Sequence, residues 1–202
     1  MSIVIGSGLL LVIVIGVLFL YLSPEFGGAP TMEQKRIYVK SPNYVDGKFI
    51  NKGNVKLDMS MRDMGKSLAG FFGPSPLTKP NKDIPVAKLD SLDIVEYQDS
   101  TRLIWFGHSA FLLQISNKTI LIDPMFGKVP APHPMLGSNR FSKELPIEVE
   151  KLPKIDAVLI SHDHYDHLDY GSIQKLKDKV KMFYTLQWRW PKKRLLNVLT
   201  PT

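Results

Sequence analysis

The sequence predicts an α/β domain, on three observations. Short β-rich runs, Leu103–Phe106, Ala110–Ile115 and Thr119–Ile122, are separated by turn formers such as Gly107 and Ser116-Asn117-Lys118. An apolar run from Ile155 to Ile160 reads as a buried strand, central to the sheet, over Asp156 to Ser161. The stretch Leu168 to Lys179 then reads as a helix capped by Asp169, with Ile173, Leu176 and Val180 giving it a buried side.

In chain order, Ile3 to Leu22 comes first, 20 positions whose clearly polar side chains are Ser7 and Tyr21. As a helix it would reach about 30 Å, the hydrocarbon thickness of a bilayer. No lysine or arginine precedes it, and Gly27-Gly28-Ala29 is a weak cleavage site. Residues 1–22 are therefore expected to be an uncleaved transmembrane anchor, making a single-pass membrane protein. Lys35, Arg36 and Lys40 follow the span, so the part of the chain after it is expected on the cytoplasmic side. Residues 23–84 read as a linker and N-terminal extension, rich in glycine, proline and asparagine up to Asn54. Within it, Leu57 to Phe72 sets Met59, Leu68, Phe71 and Phe72 among Arg62, Asp63 and Lys66, a helical stripe expected to dock on the domain. Gly73-Pro74-Ser75-Pro76 ends that helix, and Pro80 and Pro85 keep the next stretch extended. Pro130, Pro132 and Pro134 break a loop up to Ser138. The domain itself occupies residues 85–185, and 186–202 form an atypical tail.

Composition narrows the function classes. The chain has 202 residues, enough for one domain plus accessories, and 44% hydrophobic residues, enough for a core. It has no cysteine, which excludes disulfides and thiolate zinc sites. The net charge of +7 is concentrated late: residues 1–100 hold 11 basic and 10 acidic side chains, residues 101–202 hold 15 and 9. Four of the late positive charges, Arg189, Lys192, Lys193 and Arg194, sit in the tail. A basic stripe interleaved with aromatics is missing from the domain, so nucleic acid is not an expected partner.

The chemistry is concentrated in His162-Asp163-His164-Tyr165-Asp166-His167, directly after the apolar run. Three of the chain's five histidines fall in these six positions. Imidazole and carboxylate are the donors that a borderline cation such as zinc selects. His162 and His164, two apart, can face one ion from one side, and Asp166 and His167 can reach a second beside it. Two ions about 3.5–4 Å apart support hydrolysis through an activated water.

His-x-His-x-Asp-His after a strand resembles the signature of the metallo-β-lactamase superfamily. Trp105-Phe106-Gly107-His108-Ser109, Ile120-Leu121-Ile122-Asp123-Pro124-Met125-Phe126, Asn139-Arg140-Phe141, Leu152-Pro153 and Ser161 to Asp169 narrow the likeness. They resemble the subfamily holding N-acyl-phosphatidylethanolamine-hydrolysing phospholipase D and bacterial metal-dependent hydrolases. The resemblance covers residues 85 to 185. It implies the N-terminal half of an αββα sandwich and two zinc ions, with His162, His164, Asp166 and His167 as metal ligands and Asp166 as the catalytic carboxylate. Asp163 is then a nearby solvent-side or supporting group rather than a ligand. Asp123 either orients a ligand imidazole or caps its Asp-Pro turn. His108 either lines the site or is a satisfied core histidine, and His133 lies on the surface or the pocket rim.

The resemblance further implies a third histidine for the first ion, a bridging aspartate and a last histidine from a later half. Only 35 residues follow His167, and none is histidine. A truncated or frameshifted product is therefore expected, with the change near Thr185, one sheet face left exposed and activity lost. The function implied is a zinc-dependent phosphodiesterase acting on an N-acyl phospholipid at a membrane, held there by residues 3–22. A lactone or other small-molecule ester hydrolase and a non-catalytic anchored fragment remain open, as does a homo-oligomer.

Overall fold

The computed structural model describes residues 2–23, 26, 30–50, 53, 60–72, 79–133, 135, 137–162 and 164–185. Its N-terminal part consists of local elements: helix α1 (Ser2–Leu22), helix α2 (Met32–Tyr38), strands β1 (Tyr44–Val45) and β2 (Lys48–Phe49), and helix α3 (Met61–Phe72). Asp46 and Gly47 both hold positive φ, 49° and 75°, the turn that closes a two-residue hairpin between β1 and β2. Tyr38, Tyr44 and Phe49 pack their rings at 4.9–5.7 Å, so part of the expected linker has a small aromatic core of its own. Helix α3 opens on a reciprocal cap, Ser60 with Asp63. Its Met61, Met64 and Leu68 are exposed, so the expected docking of this stripe on the domain is not seen at these residues.

One expectation is corrected. Among the described residues no helix is long and apolar enough to cross a membrane. The anchor over residues 3–22, the single-pass membrane localisation and the cytoplasmic orientation derived from it therefore fall together.

The domain opens with a short helix α4 (Ser91–Val95), capped reciprocally by Asp90 and Asp93. Strands β3 (Arg102–Gly107), β4 (Ala110–Ile115) and β5 (Lys118–Ile122) follow as an antiparallel meander. Ser116 and Asn117, at φ 49° and 58°, make the β4–β5 turn. A 3-10 turn (Val149–Lys151), strand β6 (Ala157–Ile160), helix α5 (Tyr170–Leu176) and strand β7 (Phe183–Thr185) complete it. Sheet order is β3-β4-β5-β6-β7, with β6 parallel to both β5 and β7. The strand expected at the centre thus lies second from one edge, with β5 in the middle. Fold class α/β stands.

Alternation divides the sheet into two faces. One face buries Phe106, Ala110, Leu112, Leu121, Val158 and Ile160 against α4, α5 and the 3-10 turn, with Ile94, Val149, Ile173 and Leu176 completing the core. The other face carries the cross-strand row Trp105–Phe111–Ile122–Leu159–Tyr184, of which Trp105, Leu159 and Tyr184 are exposed. The exposed sheet face is as expected. Helix α5 is shorter than its sequence pattern, ending at Leu176. Beyond it, Lys179 Nζ bonds the carbonyls of Val149, Glu150 and Leu152 and ties the 3-10 turn to the sheet. The tail at 186–202, and with it the expected frameshift, lies outside the described residues.

Candidate metal centre

Strands β5 and β6 run parallel, so both deliver their next residues to the same end of the sheet, where α/β folds place ligands. Asp123 follows β5 in a left-handed conformation, φ 44°, which short polar side chains tolerate. Its amide donates to the Leu159 carbonyl at 2.9 Å, holding the turn against β6. Its carboxylate is only 4% exposed and accepts three hydrogen bonds. The Ser161 amide donates to Oδ1 at 2.7 Å, the Ser161 hydroxyl to Oδ2 at 2.6 Å, and His167 Nδ1 to Oδ2 at 2.9 Å. A buried carboxylate needs that many donors. Of the two roles open to Asp123, the structure displays the one that orients an imidazole.

The loop after β6 then folds back on itself. The amides of His167 and Leu168 both donate to the His164 carbonyl, at 3.0 and 2.8 Å. That turn brings the His162 ring to 4.6 Å from His164 and 3.8 Å from His167, between ring centres. Because the Ser161 hydroxyl donates to Asp123, its oxygen accepts from His162 Nδ1 at 2.9 Å. His162 and His167 therefore carry their protons on Nδ1 and leave the Nε2 lone pairs to an incoming cation.

His108 reaches the same place from the β3–β4 turn. The register shifts between Trp105 and Gly107, and Gly107 and His108 take φ of 98° and 49°. Trp105 Nε1 donates to the His108 carbonyl at 2.8 Å and fixes the turn. His108 Nε2 then donates to Asp166 Oδ2 at 2.7 Å, and the Ser109 hydroxyl donates to the Asp166 carbonyl at 3.2 Å. His167 Nε2 lies 3.5 Å from the same Oδ2. Burial pushes the Asp166 carboxyl up. The hydrogen bond from His108, its own backbone amide and the two imidazoles outweigh it and hold the group below the ordinary carboxylate range.

Two donor sets result, His162–His164–Asp166 and His108–Asp166–His167. Within each set the donor atoms lie within 4.8 Å of one another. Nitrogen and oxygen donors at this closeness, with imidazole predominating, fit a cation such as zinc. Asp166 belongs to both sets. Asp163 lies outside the described residues. His133 is exposed, edge-on to Phe19 at 6.3 Å, and joins neither set. Sequence reasoning singled out neither Ser161 nor Ser109, whose hydroxyls hold the donors in place. The signal available was their adjacency to His162 and His108.

A cavity of about 870 Å³ runs along edge strand β3 and has His108 at one end. Its walls include Val86, Leu103, Trp105, Phe141 and Arg140. Arg140 Nη2 donates to the Met125 carbonyl at 3.3 Å, while its Nε and Nη1 are shielded from solvent and have no hydrogen-bond partner. Each such orphaned donor costs on the order of 1–3 kcal/mol, more when charged. Burial pushes the Arg140 guanidinium below its ordinary value, partly countered by the nearby Asp169 carboxylate.

Comparison with known proteins agrees with this geometry. Residues 118–189 match the profile described as the beta-lactamase superfamily domain. An uncharacterized protein of Mycobacterium tuberculosis is 31% identical over 157 residues, 76% of this chain and 41% of the relative. A metal-dependent hydrolase of Saccharolobus solfataricus is 34% identical over 89 residues, 42% of this chain and 32% of the relative. N-acyl-phosphatidylethanolamine-hydrolyzing phospholipase D 1 of Caenorhabditis elegans is 31% identical over 85 residues, 41% of this chain and 24% of that protein. The chain spans less than half the length of these relatives. The strand-end histidine motif and the mixed sheet thus accompany a match of residues 118–189 to the beta-lactamase superfamily domain, and the chain is similar to proteins named metal-dependent hydrolases.

Proposed function

We propose that this site is the zinc-binding part of a phosphodiesterase acting on N-acyl phospholipids. The observation that supports it most is the convergence of two donor sets on Asp166, the arrangement a two-ion hydrolytic site requires. The C. elegans relative, named for N-acyl-phosphatidylethanolamine hydrolysis, supports the substrate class. Bound zinc would supply an acidified water, with a pKa of about 7, and neutralise charge on the phosphoryl oxygens.

The chain's own residues divide the remaining work. His162 and His164 offer ring nitrogens from one side of the loop, and His167 offers Nε2 because Asp123 holds its proton on Nδ1. Asp166 serves as the shared carboxylate, its orientation set by the His108 hydrogen bond, and stays ionised to accept a proton from water. The cavity along β3 receives the apolar part of the substrate and sheds water from it.

The test is hydrolysis by the full chain, supplied with zinc, of an N-acyl phosphatidylethanolamine presented in detergent. Release of phosphatidate, abolished by Asp166→Asn, is the result this reading expects, and it would replace the loss of activity expected from the sequence. Turnover of a lactone or simple ester in its place, with no phosphatidate formed, would overturn the substrate assignment.

A further inference from the structure

We infer that Arg140 is an anion receptor in the β3 cavity, and that the cavity takes an amphipathic phosphodiester with its phosphate against Arg140 and its tail along β3. The inference deepens the hydrolase reading of the same site and rests on it for the identity of the reacting group.

Three observations carry it. The first is the pair of unpartnered donors on Arg140. A guanidinium enclosed with Nε and Nη1 unbonded is a group whose acceptors come from elsewhere. The Asp169 carboxylate, whose charge acts on Arg140, already accepts the Gly127 amide and the Ser172 amide and hydroxyl. A phosphodiester offers two anionic oxygens in the spacing that a guanidinium fork matches.

The second observation is place. Arg140 Nη2 lies 4.0 Å from where a side-chain carbon on Gly107 would stand, as does Ser142 Oγ. Gly107 has no such carbon, and the next residue is His108, which bonds Asp166. The Arg140 side chain thus lies beside Gly107, one residue from the His108 that bonds Asp166. The third is the wall. Leu103, Trp105 and Phe141 line the cavity and are 58, 53 and 47% exposed, so apolar surface and a half-buried cation occupy one groove. Charge and apolar area together select an amphiphile over either a free anion or a neutral ester.

The experiment uses the full chain after metal removal and measures binding by calorimetry. The probes are dihexanoyl phosphatidylmethanol, a phosphodiester monoanion, and its methyl phosphotriester, which keeps the tails and loses the charge. The wild-type chain is expected to favour the diester by about tenfold or more. Arg140→Gln should remove that preference while leaving triester affinity unchanged, and Arg140→Lys should retain part of it. Equal affinity for the two probes in the wild type, which needs no variant to fold, would overturn the inference. So would an Arg140→Gln chain that keeps the preference, or inorganic phosphate competing as well as the diester binds. A diester preference without any zinc-dependent turnover would sink the hydrolase reading alone. Turnover of phosphodiesters unaffected by Arg140→Gln would sink the Arg140 assignment alone.

Discussion

His162, His164 and Asp166 come from one short loop, whereas His108 and Asp166 meet across 58 residues of sequence. The first set is nearly free-standing: His164 is exposed, and Ser161 braces His162. The second is held on every side, His167 by Asp123, His108 by the Trp105-fastened turn, and Asp166 by His108 and Ser109. A local motif can bring donors together, but rigid placement requires the fold. The braced set should therefore bind its ion more tightly, and the shared Asp166 should couple the two.

The most damaging way to break this comparison is Asp166→Asn, which removes a carboxylate from both sets. Affinity at both sites is expected to fall by at least about 100-fold, read by competition with a chromophoric chelator. Loss at one site only would show that the sets are independent. Next come His164→Gln and His108→Gln, tested side by side. Each is expected to weaken a different ion by about 10- to 100-fold and leave the other in place. Asp123→Asn sharpens the comparison further, since it touches no ion. It is expected to weaken the His167 set by about tenfold or more through a freed imidazole, while the set with His164 changes little.

The smallest effect lies away from the centre and serves as a control. Asp156 accepts the Thr119 amide at 3.0 Å and Lys118 Nζ at 3.2 Å, and the Thr119 bond chiefly holds its carboxyl below the ordinary value. A depressed carboxyl stabilises the fold above the ordinary aspartate value, about 3.9, and loses that contribution as pH falls through the folded value. Asp156→Asn should flatten this acid limb by well under about 1 kcal/mol in urea unfolding, with metal affinity unchanged. A large effect on metal binding would mean that the β5–β6 junction, not the loop, sets the site.

The six-residue motif was legible because local spacing alone gathers its donors. So were β4, whose bounds match its alternation, and the Asp169 cap of α5. The membrane expectation rested on the hydropathy of residues 3–22, and the described residues do not carry it. His108 and Asp123 were visible as candidates but not as partners of Asp166 and His167, because those pairings cross 58 and 44 residues and depend on strand register. Arg140 was legible only as part of a likeness. That its donors lack partners is a property of packing, which no single sequence displays.

The most direct test is metal content of the full chain after extensive dialysis against trace zinc, wild type beside Asp166→Asn. The account predicts about two ions per wild-type chain and none held by the variant. Two ions retained by Asp166→Asn, or none by the wild type, would contradict a centre built around that shared carboxylate.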